Sequence, residues 1–226
     1  MSGAVFIFGY KKNAMINQDA VRLLDHFFAQ PSFFTDNQAA FIRNAEEYAL
    51  LKRQFHEGPV TGNPAFQRRF ARFYGMRFVP AAGKNAFFQK MELLRNNHEG
   101  LDARLLTEEL QPVMGQYHFS FATKMLNLLD DEVYPIYDSQ IAVVFQLPYS
   151  PDETRLDHQE AIYRDVTDTY VSLKQHPVID AFRTRFNCPE MGTMKVLDAL
   201  YWRMGKFLDQ DGLELLPAEY LENQVQ

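Results

Sequence analysis

The sequence predicts an all-α protein, a compact helical array in one domain spanning residues 1–226, with two lobes of about residues 1–100 and 101–226. Apolar residues recur at helical spacing through most of the chain, while sustained strand-like alternation is nearly absent. Turn-forming Gly, Pro and Asn residues divide the periodic stretches into segments of helix length. Hydrophobic residues make up 46% and charged residues 23% of the 226 residues, enough to bury a core.

The first helix is read over residues 17–30, with Val21, Leu24, Phe27 and Phe28 on one side, Asn17 or Asp19 as cap and Pro31 as the stop. A second runs over 36–55. The break GPVTGNP at 58–64 ends in Asn63-Pro64, a helix start because proline fits the first helical position. That helix closes near Gly75. A loop at 80–83 leads to helices at 84–97 and 102–114, the latter with Pro112 fraying its last turn. Residues 120–129 form the next helix. The segment YPIYDS at 134–139 approaches another in extended form, capped by Asp138 or Ser139. After the PYSPDE loop come helices at 154–175, from His176-Pro177 to Phe186, and at 192–207, where Met194, Leu197, Tyr201 and Met204 share a face. Most of the 20 Phe and 11 Tyr rings are expected to fill the core.

Composition excludes several classes. A single cysteine, Cys188, rules out an intrachain disulfide framework and a multi-thiolate zinc site, which makes the cytoplasm the expected location. The apolar stretch at residues 4–8 is too short for a signal-peptide core and is expected to be buried. No window approaches the roughly 20 apolar residues that span a bilayer. The six histidines lack paired metal-ligand spacing, and no P-loop, GxGxxG, GxSxG or HExxH motif is present, so neither metal nor diffusible cofactor is expected. The net charge is −6. Within it lies a basic island between Gln67 and Arg95, containing Arg68, Arg69, Arg72, Arg77, Lys84, Lys90 and Arg95 around the single acid Glu92. Such a patch either binds phosphates or is a solvated helix face.

The stretch MGQYHFSFATKMLNLLDDEVYPIYDSQIAVVF, residues 114–145, carries the most chemistry. One helix ends near Met114, Gly115 permits a tight turn, a second begins near Ser120, and a connector brings Asp138 to the start of a third. Helix N-termini present N–H groups to anions. A carboxylate held at an N-cap by backbone donors stays fixed and ionised.

These residues resemble the helix-hairpin-helix DNA glycosylases, above all the 8-oxoguanine glycosylase branch, over about residues 110–145, with a weaker echo at 195–206. LLDDEVYPIYD at 128–138 is similar to the family's hydrophobic approach to its catalytic aspartate, which places Asp138 in that role and Gly115 at the first hairpin glycine. GQYHF replaces the family's GVGxK, so the second glycine is absent and Phe119 stands where bifunctional members carry a lysine nucleophile. Lys124, about one turn further on, is the nearest replacement. The resemblance implies a DNA glycosylase acting on a damaged or modified base, with or without AP-lyase activity, using Lys124 and Asp138 and no cofactor. His118, Tyr137, Gln140, Asp198 and Trp202 are the residues expected around a flipped base. Gly115, Arg68, Arg69 and Arg72 would contact the DNA backbone. The alternatives are a noncatalytic nucleic-acid-binding module and a helical protein-interaction or regulatory domain. The sequence is silent on oligomeric state.

Overall fold

The computed structural model describes residues 13–97, 100–145 and 154–211. The apolar stretch at 4–8 and the PYSPDE loop lie outside the described residues, as does His98. The described residues form eleven helices and no strand: α1 (Asn13–Phe28), α2 (Pro31–Asp36), α3 (Gln38–Glu57), α4 (Pro64–Phe73), α5 (Ala81–Leu94), α6 (Ala103–Met114), α7 (Phe119–Leu129), α8 (Ser139–Phe145), α9 (Arg155–Ser172), α10 (Pro177–Arg185) and α11 (Thr193–Asp211). The all-α class read from the periodicity is what the chain adopts.

Several helix starts follow from side chains that satisfy the first free N–H groups. Asn63 Oδ1 accepts from the Phe66 N–H at 3.0 Å, with Pro64 in the first turn of α4. Asp102 Oδ1 accepts from Leu105 N–H at 2.8 Å. Thr154 and Asp157 form a reciprocal capping box at the start of α9. At the end of α6, Gly115 adopts φ 78°, a left-handed cap that returns its N–H to the Gln111 carbonyl at 2.9 Å.

Four expectations need correction. Asn17 and Asp19 do not cap α1, which already starts at Asn13. Pro31 does not only stop a helix: it opens α2, whose Phe33 and Phe34 are buried. The expected loop at 80–83 is mostly helix, because Pro80 is the N-cap of α5 and Gly83 lies in its first turn. There Gly83 lets α5 approach the backbone of Val113 and Met114 in α6, so a Cβ would sit 3.1 Å from Met114 Cα. Pro112 stays inside α6 without breaking it.

One hydrophobic cluster runs from Ala20 to Leu208. Two aromatic groups pack within it. Phe41 meets Phe182 and Phe186 at 5.2 and 5.1 Å between ring centroids, and Phe70 meets Phe87 and Phe88 at 5.4 and 5.6 Å. The centre is formed by α7 and α11, which are buried almost all round rather than along one face. α11 crosses α8 at Gly205, where any Cβ would overlap the Gln140 carbonyl oxygen. Its approach is set by Gly192, where a Cβ would overlap the backbone of Asp131. These two contacts hold the 130–138 connector and α8 against α11, and all the chemistry below depends on that apposition.

Gly205→Ala is therefore expected to cost about 3 kcal/mol or more, since the clash is with backbone and not with a movable side chain. Gly58→Ala, in open space, is the control. Urea unfolding of the two variants checks this, and equal midpoints would contradict the crossing described.

Candidate functional site

The connector between α7 and α8 passes through the interior without regular structure, and side chains complete its hydrogen bonds. The Ile136 N–H donates to Asp198 Oδ1 at 3.0 Å, and the Tyr137 N–H to Thr123 Oγ1 at 3.0 Å. Asn127 Nδ2 donates to the Tyr134 carbonyl at 2.7 Å and to Asp198 Oδ2 at 3.3 Å. At the connector's start, Asp131 accepts from Tyr48 Oη, Lys52 Nζ and the Gly192 N–H at 2.9, 2.8 and 2.9 Å. At its end, Asp138 caps α8 through the Gln140 N–H at 3.1 Å.

Lys124 and Asp138 meet. Nζ lies 2.8 Å from Oδ2, with Lys124 only 7% exposed and Asp138 half-buried. The ammonium is flanked by the rings of Phe121 and Tyr74, 5.6 and 5.9 Å from their centroids. Burial alone would raise the Asp138 carboxyl, but the Lys124 charge and hydrogen bond, joined by the Gln140 N–H, bring it below the ordinary carboxylate range.

A second lysine, absent from the sequence-based set, sits beside this pair. Lys195, in the first turn of α11, is 4% exposed and makes no hydrogen bond or ion pair among the described residues. Its Nζ lies 5.1, 5.5 and 5.6 Å from the ring centroids of Tyr48, Phe73 and Tyr74. Burial lowers its affinity for a proton and the nearby Lys124 charge adds to this, while Asp198, Asp131 and Asp138 oppose it. Burial likewise pushes the Asp198 carboxyl up to about 7 against the pull of Lys195. The hydroxyl of Tyr74 and Oδ1 of Asn127 are buried without a partner. Three lysines and three aspartates thus share one interior region.

The remaining sequence-derived residues divide. Tyr137 is buried against Phe119 at 5.5 Å, and Phe119 also meets Tyr163, so that ring is core packing. His118 precedes α7, with its ring 5.3 Å from that of Phe121. Gln140 is tied to Asp138 through its backbone N–H, and its Oε1 is buried unpartnered. Trp202 is half-buried under Lys206 Nζ, 4.6 Å from the ring centroid. In the basic island, Arg69 and Arg72 both face Glu47 at 3.7 Å, Lys90 pairs with Glu109 at 2.6 Å, and Arg95 holds the His56 and Gly58 carbonyls. Arg68, Arg77 and Lys84 make no ion pair among the described residues. Lys195, Tyr48, Tyr74 and Asp131 were missed because their relationship joins α3, α4, the connector and α11, which no local spacing encodes.

A cavity of about 460 Å³ opens between α3 and residues 186–191, with Tyr48, Lys52, Arg53, Cys188 and Glu190 in its wall. Burial raises the Cys188 thiol, so it is not an activated nucleophile. Among the described residues, no group of three or more His, Cys, Asp or Glu could hold a metal ion, and no helix is long and apolar enough to cross a membrane. No family model matches this chain, and comparisons with curated proteins and with solved structures also return no match.

The raised Asp198 carboxyl has a defined effect on stability. Its folded value, about 7, lies above the unfolded value, roughly 3.9, so it adds stability below pH 4 that is lost as pH rises toward 7. Asp198→Asn should flatten the wild-type decline between these limits, by at most about 1.4 kcal/mol per pH unit. Urea midpoints of both proteins across pH 4–8 measure it; parallel profiles would show that Asp198 titrates normally.

Proposed function

We propose that this chain is a DNA glycosylase-like protein acting on a damaged or modified base, with or without AP-lyase activity. The observation that supports this most is the Lys124–Asp138 pair, an amine and an ionised carboxylate 2.8 Å apart at the start of a helix. In such an enzyme the Asp138 carboxylate stabilises the positive charge that develops at the sugar C1′ as the glycosidic bond breaks. Lys124 supplies an amine, and Asp138 Oδ2 is in place to take its proton if that amine attacks C1′. Phe121 and Tyr74, beside the Lys124 ammonium, offer ring faces for an extruded base, and Arg68, Arg77 and Lys84 supply cations for phosphates.

A noncatalytic nucleic-acid-binding module is the second reading. It draws on the closure of the same pair, since each charge already satisfies the other, and on the departures at Gly115–Phe119 from the glycosylase hairpin. A protein-interaction domain would use exposed apolar residues such as Phe78, Leu93 and Leu105.

Base release from a panel of lesion-containing duplex and single-stranded oligonucleotides separates these readings. Release from at least one substrate is expected, reduced about 100-fold or more by Asp138→Asn in a variant whose circular dichroism matches wild type. Binding without release would select the noncatalytic module. Neither binding nor release would contradict both nucleic-acid readings.

A further inference from the structure

The cavity between α3 and residues 186–191 has a wall on each side that the fold holds in place. On one side, Ala45, Tyr48 or Ala49, and Lys52 recur at spacings of three and four along α3, so they share a helix face, and the two alanines leave space that larger side chains would fill. On the other, α10 is followed by Asn187 in the left-handed region, φ 49°, and the Cys188 N–H returns to the Arg183 carbonyl at 3.0 Å. Residues 188–191 then run beside α3. Arg183 Nε donates to the Met191 carbonyl at 2.9 Å and Lys52 Nζ to the Glu190 carbonyl at 3.0 Å, so this wall is fixed before any ligand arrives. The volume, about 460 Å³, is that of a small-molecule site, and Tyr48, Phe186 and Met191 give it a buried apolar floor.

One end of this cavity is cationic. Lys52 Nζ carries three protons, of which Asp131 Oδ1 takes one at 2.8 Å and the Glu190 carbonyl a second, leaving a third to donate. Arg53, the next residue of α3, lines the same cavity and makes no hydrogen bond or ion pair among the described residues, so its whole guanidinium fork is open to a ligand. The acids of the lining are placed differently: Glu46 stands two turns before Arg53, about 10 Å away along the helix axis, and both Glu46 and Glu190 are exposed. We propose that the cavity binds a small amphipathic anion, an aromatic body carrying one carboxylate or sulfonate head. The body lies over Tyr48, Phe186 and Met191, and the head meets Lys52 Nζ and Arg53. Neither Lys124 nor Asp138 lines this site, and it does not rest on the glycosylase-like reading. Tyr48 and Lys52 both bond to Asp131, which sets the anion's head beside the start of the connector.

The test is a fluorescence titration of the intact chain with 8-anilinonaphthalene-1-sulfonate, set against N-phenyl-1-naphthylamine, which has the same rings and no charge. One sulfonated dye per chain is expected, with a Kd of about 100 μM or tighter and at least about tenfold below that of the neutral dye. Arg53→Ala, at an exposed position of α3, should weaken the sulfonated dye by about tenfold and leave the neutral dye unchanged. Ala49→Trp should fill the cavity and abolish binding of both, with circular dichroism as in wild type. In the wild-type chain, bound dye should slow maleimide alkylation of Cys188, the single cysteine of the sequence and part of the cavity wall. Equal affinity for the two dyes overturns the assignment of an anion. Binding that survives Ala49→Trp, or that leaves Cys188 alkylation unchanged, overturns the site.

Discussion

After an exposed turn at Glu132 and Val133, the connector runs through the interior at residues 135–137 without regular structure, and a buried N–H or C=O without a partner costs about as much as a lost hydrogen bond. This constraint organises the centre of the molecule. Because the connector forms neither helix nor sheet, side chains must meet its needs: Asp198 takes the Ile136 N–H, Thr123 the Tyr137 N–H, and Asn127 reaches the Tyr134 carbonyl. Each of these is a fully or almost fully buried polar residue on α7 or α11. Once carboxylates are buried for this purpose, cations follow them inward, and Lys52 and Lys124 each pair with an aspartate of the connector. Glycines at 192 and 205 make the approach possible by removing the side chains that would keep α11 away.

The resulting group is costly as pure architecture. Buried ion pairs are often neutral or worse than apolar packing of the same volume, because desolvation offsets their attraction. Lys195 adds a third amine to that burden, and burial lowers its affinity for a proton. Structural demand accounts for Asp131 and Asp198, which accept backbone N–H groups, and for Asp138, which caps α8. It does not account for Lys195, whose neighbours are ring faces. Groups whose proton affinities are displaced in opposite directions within a few side chains of each other are the raw material of acid–base and nucleophilic chemistry.

Part of this arrangement was legible in the sequence. Asp138 follows an extended, apolar approach and precedes a helical stretch, so its capping position can be read from spacing, and Lys124 lies on the adjoining helix. The same reasoning failed at Lys195 for a physical reason. A helix with one apolar face would place a residue next to Met194 toward its flank, but every residue of α11 from Thr193 to Tyr201 is buried. The basic island was legible as composition and not as a surface, since Glu47, a whole helix away in sequence, faces both Arg69 and Arg72. Pro31 was read as a terminator because proline ends helices, yet the same residue fits a first turn equally well. Local chemistry therefore located elements and caps, while the partners of buried charges required the tertiary fold.

The most direct test of the proposal that the Lys124–Asp138 pair serves chemistry beyond the capping of α8 is the double variant Lys124→Met, Asp138→Asn, assayed for urea stability and for base release in parallel. The account predicts a folded protein at least as stable as wild type, within about 1 kcal/mol, with release abolished, because removing both charges also removes their desolvation cost. A variant that unfolds, or one that folds and retains wild-type release, would contradict it.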